Sequence, residues 1–240
     1  MKRVFNLLVV DESGSMAIIQ KQALMGINET LDTIAKMQKT HKELEQHITL
    51  LTFDSSHKRL IYDNITADMA HKLGCNDYRP GGATPLYDAI GMGIAKINAQ
   101  TSDDDSVLVT IITDGEENCS EEYNLDMIKN LIGKLKKQGW TFTFIGTDNL
   151  DVKGIAADMG IDNHLSFSED AKGTEEMFKH ERMSRERFNL CMASDSAMPE
   201  GSYFMLGDNR EHSKDSRFWQ NTFVTYDEIV GKAIVRYYPS

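Results

Sequence analysis

The sequence predicts an α/β protein: a doubly wound, mostly parallel sheet with one antiparallel edge strand, followed by a small β-rich appendage. Three observations carry this. Val4 to Val10 and Val107 to Thr113 are almost wholly apolar, as central parallel strands covered on both faces must be. Strand-like segments alternate with segments of helical periodicity through about residue 190, which implies right-handed crossovers. Beyond residue 192 the helical rhythm stops and short β-rich stretches take over.

Taken in order, Val4 to Val10 runs into Asp11-Glu12-Ser13-Gly14-Ser15. From Ala17 to about Gln38, Ile18, Leu24, Ile27, Leu31 and Ile34 recur at helical spacing, giving a long amphipathic helix. His47 to Phe53 is rich in β-formers, and Lys58 to Tyr62 follows after a tight turn, so this hairpin supplies the antiparallel edge. A short helix is expected over Ala67 to Leu73. The turn-forming segment Tyr78 to Pro85 leads into a helix ending near Ala99, with Thr84 as its N-cap and Pro85 in its first turn. Thr101 to Ser106 is an acidic loop. Val107 to Thr113 then ends at Asp114-Gly115. Ser120 is expected to cap a helix from Glu121 to about Gln138, where Lys134, Lys136 and Lys137 suit the negative end of the helix dipole. A strand at Trp140 to Gly146, a helix at Asp151 to Met159, a strand at His164 to Phe167 and a charged helix from Thr174 to about Asn189 complete the first domain. The expected organisation is a domain over 1–192, a small polar linker at 193–197 and an appendage at 198–240. In the appendage, Glu200 to Leu206 and Glu228 to Tyr238 read as strands around a polar loop, Gly207 to Arg217. A segment so short has little core of its own.

Composition narrows the function. With 40% hydrophobic and 26% charged residues the chain reads as globular, and a net charge of −11 argues against nucleic acid or an anionic membrane surface as partner. No stretch reaches transmembrane length. The N-terminal apolar run leads into Asp11-Glu12 without a small-residue cleavage site, so it reads as a strand rather than a signal peptide. Cys75, Cys119 and Cys191 form no C-x-x-C pair, and reduced thiols in the cytoplasm are the expectation.

Ligands of doubly wound sheets bind outside the carboxyl ends of the strands, where strand order reverses. Asp11 and Asp114 each follow a buried strand. If those strands are neighbours, the two carboxylates meet, Ser13 and Ser15 add hydroxyls, and Thr84 adds one from a third loop. Such a set of hard oxygens suits Mg²⁺ or Mn²⁺. Singly, each piece is an ordinary turn or helix cap; together they specify a site.

These residues resemble the von Willebrand factor A family. Asp11-x-Ser13-x-Ser15, Thr84 within Gly-Gly-Ala-Thr-Pro-Leu, and Asp114 within Thr-Asp-Gly match its metal-ion-dependent adhesion site, in the family's order, across residues 3 to about 190. The resemblance implies Mg²⁺-dependent protein binding without catalysis, an Asp or Glu of a partner protein completing the metal's coordination. The rival enzymatic reading, phosphoester hydrolysis at the metal, has only Glu12 or Glu116 to offer as a general base.

The tail resembles a different family, the bacterial type I signal peptidases. Gly-Asp-Asn-Arg-Glu-His-Ser-Lys-Asp-Ser-Arg at 207–217 and Ile-Val-Gly-Lys-Ala at 229–233 carry this likeness. It implies that Ser213 matches a residue orienting the catalytic lysine, and that Asp215 and Arg217 form a supporting ion pair. The family's Ser-Met-x-Pro nucleophile motif and its catalytic-lysine box are absent from the sequence, so the fragment is expected to be inactive alone. Signal-peptidase-type endopeptidase function through this tail is the alternative reading.

Overall fold

β1 (Lys2–Asp11) is buried from Val4 onward because both of its faces are covered. The computed structural model describes residues 1–167, 178–179, 181–186, 188–189, 202–203 and 224–225. The chain divides into two compact units, Met1–Ala193 and Ser194–Ser240.

In the first unit β1 is followed by a 3-10 turn (Gly14–Ala17), α1 (Gln20–Thr40), β2 (Leu44–Phe53) and β3 (Lys58–Thr66). After a 3-10 turn at Ala67–Met69 come α2 (Leu86–Asn98), β4 (Ser106–Thr113), α3 (Leu125–Lys137), β5 (Thr141–Thr147), α4 (Val152–Asp158) and β6 (Asn163–Phe167). The strands form one six-stranded sheet in the order β3-β2-β1-β4-β5-β6. Every pair is parallel except β2 with the edge strand β3. Strand order reverses between β1 and β4, whose register aligns Val10 with Ile112. The ends of these two strands therefore open side by side at the switch point.

Alternation along β1 builds the two cores. Phe5, Leu7 and Val9 pack with Leu86, Ile90 and Ile94 of α2, Ile128 and Ile132 of α3, and Val152 of α4. Leu8 and Val10 pack on the other face with Ala23, Leu24, Ile27, Leu31 and Ile34 of α1. Towards the amino end of the strands that second face turns polar, and residues within 178–189, helical where described, cover it. Arg185 is fully buried there. It donates to Asn6 Oδ1 (2.6 Å), Thr110 Oγ1 (2.9 Å) and Glu181 Oε1 (2.8 Å from Nε). Asn6 Nδ2 in turn donates to Gln46 Oε1 (3.0 Å), and Gln46 Nε2 to Asn189 Oδ1 (2.5 Å).

Several boundaries differ from the sequence expectation for identifiable reasons. α3 starts at Leu125, not Glu121, because Asn124 is its N-cap and accepts from Met127 N (3.0 Å). Ser120 is engaged elsewhere: its Oγ donates to Glu117 Oε2 (2.6 Å) and accepts from Asp88 N (3.1 Å). Thr84 does not cap α2, since Pro85 holds that position and no side-chain cap bond forms. Of the helix expected over Ala67 to Leu73 only the 3-10 turn exists. In the second unit β7 (Ser202–Tyr203) pairs antiparallel with β8 (Val224–Thr225), while Glu228 to Tyr238 lies outside the described residues.

Candidate metal centre

Three loops leave the switch point and are tied to one another through their backbones. Gly14 N donates to Gly82 O (3.0 Å) and Gly81 N to Glu12 O (2.8 Å), joining the first loop to the second. Thr84 N donates to Asn118 Oδ1 (2.9 Å) and Asn118 N to Thr84 O (3.2 Å), joining the second to the third. Gly82 makes its close approach at φ +73°, and a Cβ there would lie 2.6 Å from Ser55 Oγ, so only glycine fits.

The five oxygen-bearing residues read from the sequence meet here. Asp11, at the end of β1, is buried; its Oδ1 accepts from Ser13 N (2.7 Å) and its Oδ2 from Thr113 Oγ1 (2.5 Å). Ser13 Oγ lies 3.1 Å from Ser15 Oγ, which donates to Asp114 Oδ1 at 2.7 Å. Thr84 Oγ1 comes from the second loop. The open side of Gly115, on the third loop, faces the other two: a Cβ placed there would be 3.2 Å from Thr84 Oγ1, 3.7 Å from Ser15 Oγ and 3.8 Å from Asp11 Oδ2. The lack of a side chain at Gly115 thus leaves a cradle ringed by oxygens. Ser15 is exposed and Asp114 half-buried, so the cradle opens to solvent on one side.

The donor chemistry fits a small hard cation. Adjacent ligands of an octahedral Mg²⁺ stand about 3 Å apart, given metal–oxygen distances of about 2.1 Å. The Ser13–Ser15 and Ser15–Asp114 separations, 3.1 and 2.7 Å, match that edge. The cradle's donors are two carboxylates and three hydroxyls; among the described residues no group of three or more His, Cys, Asp or Glu side chains gathers as a metal site.

Electrostatics around the cradle are strained in the metal-free protein. Burial pushes the Asp11 carboxyl up to about 6, against the opposing hydrogen bonds from Thr113 and Ser13, and the neighbouring Asp114 charge pushes the same way as burial. Burial, and then the charges of Asp11, Asp114 and Glu12, drive the Tyr78 phenol well above its ordinary value, so it stays protonated and donates to Asp11 O (2.6 Å). Further out, burial would raise Asp88. The N–H groups of Tyr123, Glu121 and Glu122, with Lys58, outweigh it and hold Asp88 below the usual carboxylate value. Those bonds lace the third loop to α2.

Glu12 faces away from the cradle's chemistry. It is fully buried, accepts from Arg59 Nη2 (3.1 and 3.2 Å) and from the N–H of Arg79, and so joins β1 to the edge strand and the second loop. A carboxylate already held by a guanidinium and an amide is poorly placed to act as a general base. Sequence reasoning missed Thr113, Tyr78 and Asn118 as supports of the site. Thr113 sits next to Asp114 at the end of an otherwise apolar strand, which was the available signal.

Comparison with known proteins adds the family. Residues 7–180 match the von Willebrand factor type A domain family, well over half of the chain. The chain belongs to that family. Solved structures agree on the fold of this von Willebrand factor A domain. The vWF domain of the type V pili tip protein Mfa5 from Porphyromonas gingivalis superposes with TM-score 0.51 at 13% identity, covering 76% of this chain and 96% of that one. The SpRpn10 VWA domain gives 0.51 at 10%, covering 73% and 94%. The pilus adhesin SpaC from Lactobacillus rhamnosus GG gives 0.56 at 16%, covering 77% of this chain and 30% of that one. The family makes the first unit a protein-interaction module of a typically non-catalytic kind, and no helix among the described residues is long and apolar enough to cross a membrane.

Residues 145–238 also match the signal peptidase S26 family. Signal peptidase I of Aquifex aeolicus is 58% identical over 41 residues, 17% of this chain and 15% of that enzyme. The Haemophilus influenzae enzyme is 61% identical over 36 residues, 15% of this chain and 10% of the enzyme, and that of Pseudomonas aeruginosa 29% over 127 residues, 47% of this chain and 43% of the enzyme. The chain therefore spans less than half the length of these relatives. The two family matches overlap at 145–180, where the end of β5 and all of β6 belong to the six-stranded sheet and Val152 of α4 packs in its core. Ser213, Asp215 and Arg217 lie outside the described residues.

Proposed function

We propose that the first unit binds a protein partner through a divalent cation, Mg²⁺ or Mn²⁺, held by Asp11, Ser13, Ser15, Thr84 and Asp114. When bound, the ion supplies an open coordination position, and an Asp or Glu of the partner fills it. The convergence of oxygens from the first two loops on the open side of Gly115, with Asp114 of the third loop bonded to Ser15, carries this reading. The remaining groups hold the arrangement: Thr113 and Ser13 N orient the Asp11 carboxylate, Tyr78 fixes its backbone, and Asn118 fixes Thr84. No chemistry on the partner is required, and the occupied state of Glu12 weighs against hydrolysis at the metal. Calorimetry of Mg²⁺ binding to the wild type and Asp11→Ala tests the reading: equal affinity in both proteins would sink it.

For the tail, we infer no proteolysis from this chain by itself, because its sequence lacks the Ser-Met-x-Pro motif and the lysine box of a Ser–Lys dyad. Incubation with a signal-peptide substrate should leave that substrate intact; cleavage that Ser213→Ala abolishes would establish the opposite.

A further inference from the structure

The surface leading from the metal loops along α1 differs in chemistry from the acidic chain around it. The Gly14–Ala17 turn runs on into α1 through hydrogen bonds from Ile18 N to Ser15 O (3.2 Å), Ile19 N to Met16 O (3.2 Å) and Ala23 N to Ile19 O (2.8 Å). Residues four apart on a helix share a face, as Lys21 and Met25 do on α1, and Ile18 stands at the end of the turn that leads into it. All are exposed, Ile18 by 76% and Met25 by 62%. Ile18 and Met25 are two of the five large apolar side chains exposed among the described residues.

A second strip of chain lies beside α1. Gln20 Nε2 donates to Tyr78 O (2.9 Å), which sets the first turn of α1 against the peptide that leads into Arg79. Arg79 is exposed, and its guanidinium reaches the side-chain oxygen of Asn76 at 3.4 Å. Among the described residues neither Arg79 nor Lys21 forms an ion pair with a carboxylate, although the chain carries 37 acidic residues against 26 basic ones. The loop that follows β4 is acidic by contrast, with Asp114 half-buried and Glu116 exposed. Lys21 and Arg79 therefore attract acidic segments, whereas Glu116 repels them.

We propose that the α1 rim is a docking surface for an acidic segment of a partner protein that carries two carboxylates and an apolar side chain. Resting on the metal-binding reading above, it assigns one carboxylate to the cation, the second to Arg79 and Lys21, and the apolar side chain to Ile18. Charge complementarity fixes the direction of approach: the segment crosses α1, since passing over Glu116 would set like charges together. A single carboxylate on a metal discriminates little between partners. The cation pair and the isoleucine add the selectivity.

The test uses the full chain and three short fluorescein-labelled Gly/Ser peptides, carrying one Asp, two Asp, or two Asp and a Leu. Fluorescence anisotropy in Mg²⁺ and in EDTA reads peptide binding, and calorimetry reads Mg²⁺ uptake. Expected is Mg²⁺-dependent binding, with the two-Asp-and-Leu peptide held about tenfold more tightly than the one-Asp peptide. The double substitution Lys21→Gln/Arg79→Gln should remove the gain from the second Asp, and Ile18→Ser the gain from Leu, with Mg²⁺ uptake unchanged in both. Normal Mg²⁺ uptake without discrimination among the peptides, or discrimination that survives both variants, overturns the rim assignment while leaving the metal site standing. Absence of Mg²⁺ uptake by the wild type overturns both.

Discussion

Replacing Asp11 with asparagine should make the metal-free protein more stable while removing its response to Mg²⁺. In the folded chain the Asp11 carboxyl is raised from 3.8 to about 6, a difference worth about 3 kcal/mol between the two protonation states. Because the folded value is the higher one, the associated stability is fully present below about pH 4 and is lost as pH rises through about 6. At neutral pH the metal-free fold therefore carries nearly the whole cost of a desolvated carboxylate. Asparagine keeps the shape and removes the charge. Its oxygen can accept from Ser13 N, and its NH₂ can donate to Thr113 Oγ1, which then donates to Gly115 O at 3.0 Å instead. At about 2–4 °C per kcal/mol for a domain of this size, Asp11→Asn in EDTA at neutral pH should melt several degrees above the wild type. Thermal unfolding at neutral pH and at about pH 4.5, with EDTA and with Mg²⁺, measures it. The gain should shrink towards zero at the lower pH, and Mg²⁺ should stabilise only the wild type. An asparagine variant less stable than the wild type in EDTA at neutral pH would refute the reasoning, as would a gain that does not change with pH.

The same proton governs metal uptake: calorimetric Mg²⁺ affinity should fall by up to tenfold per pH unit below about 6, with proton release on binding. Gly115→Ala would set a methyl carbon 3.2 Å from Thr84 Oγ1 inside the cradle. Mg²⁺ affinity should drop by about tenfold or more while the metal-free melting temperature barely moves. Arg185→Met should cost about 3 kcal/mol in urea unfolding, because it strands Glu181 in the interior, and adding Glu181→Leu should restore much of the loss.

The fold was legible where burial on both faces writes itself as continuous apolar sequence, as at Val4 to Val10 and Val107 to Thr113. It was less legible where one polar residue outcompeted another. Ser120 looks like a helix cap, but Glu117 and Asp88 claim it from neighbouring segments, and Asn124 caps instead. Thr84 likewise reads as a cap until Pro85 takes that place and leaves the threonine hydroxyl facing Gly115. The residues of the candidate site itself sit in recognisable loops. Their supports do not: Tyr78 hides in a turn-forming segment, and Thr113 finishes a strand that needs no polar residue for its own sake. Arg185 lies in a stretch that reads as solvent-exposed because its charges are dense. Its burial follows from Asn6, Gln46 and Thr110, polar residues on three neighbouring strands, and only the sheet brings those together.

That arrangement around Arg185 decides where this domain can be cut. The von Willebrand factor A match stops at residue 180, yet Asn6, Gln46 and Thr110 find their partners at Arg185 and Asn189. A fragment ending at the family boundary would expose a wet seam at the centre of the sheet. A fragment carried past Asn189 keeps that seam closed, so the smallest self-sufficient version of this module is longer than the family to which it belongs.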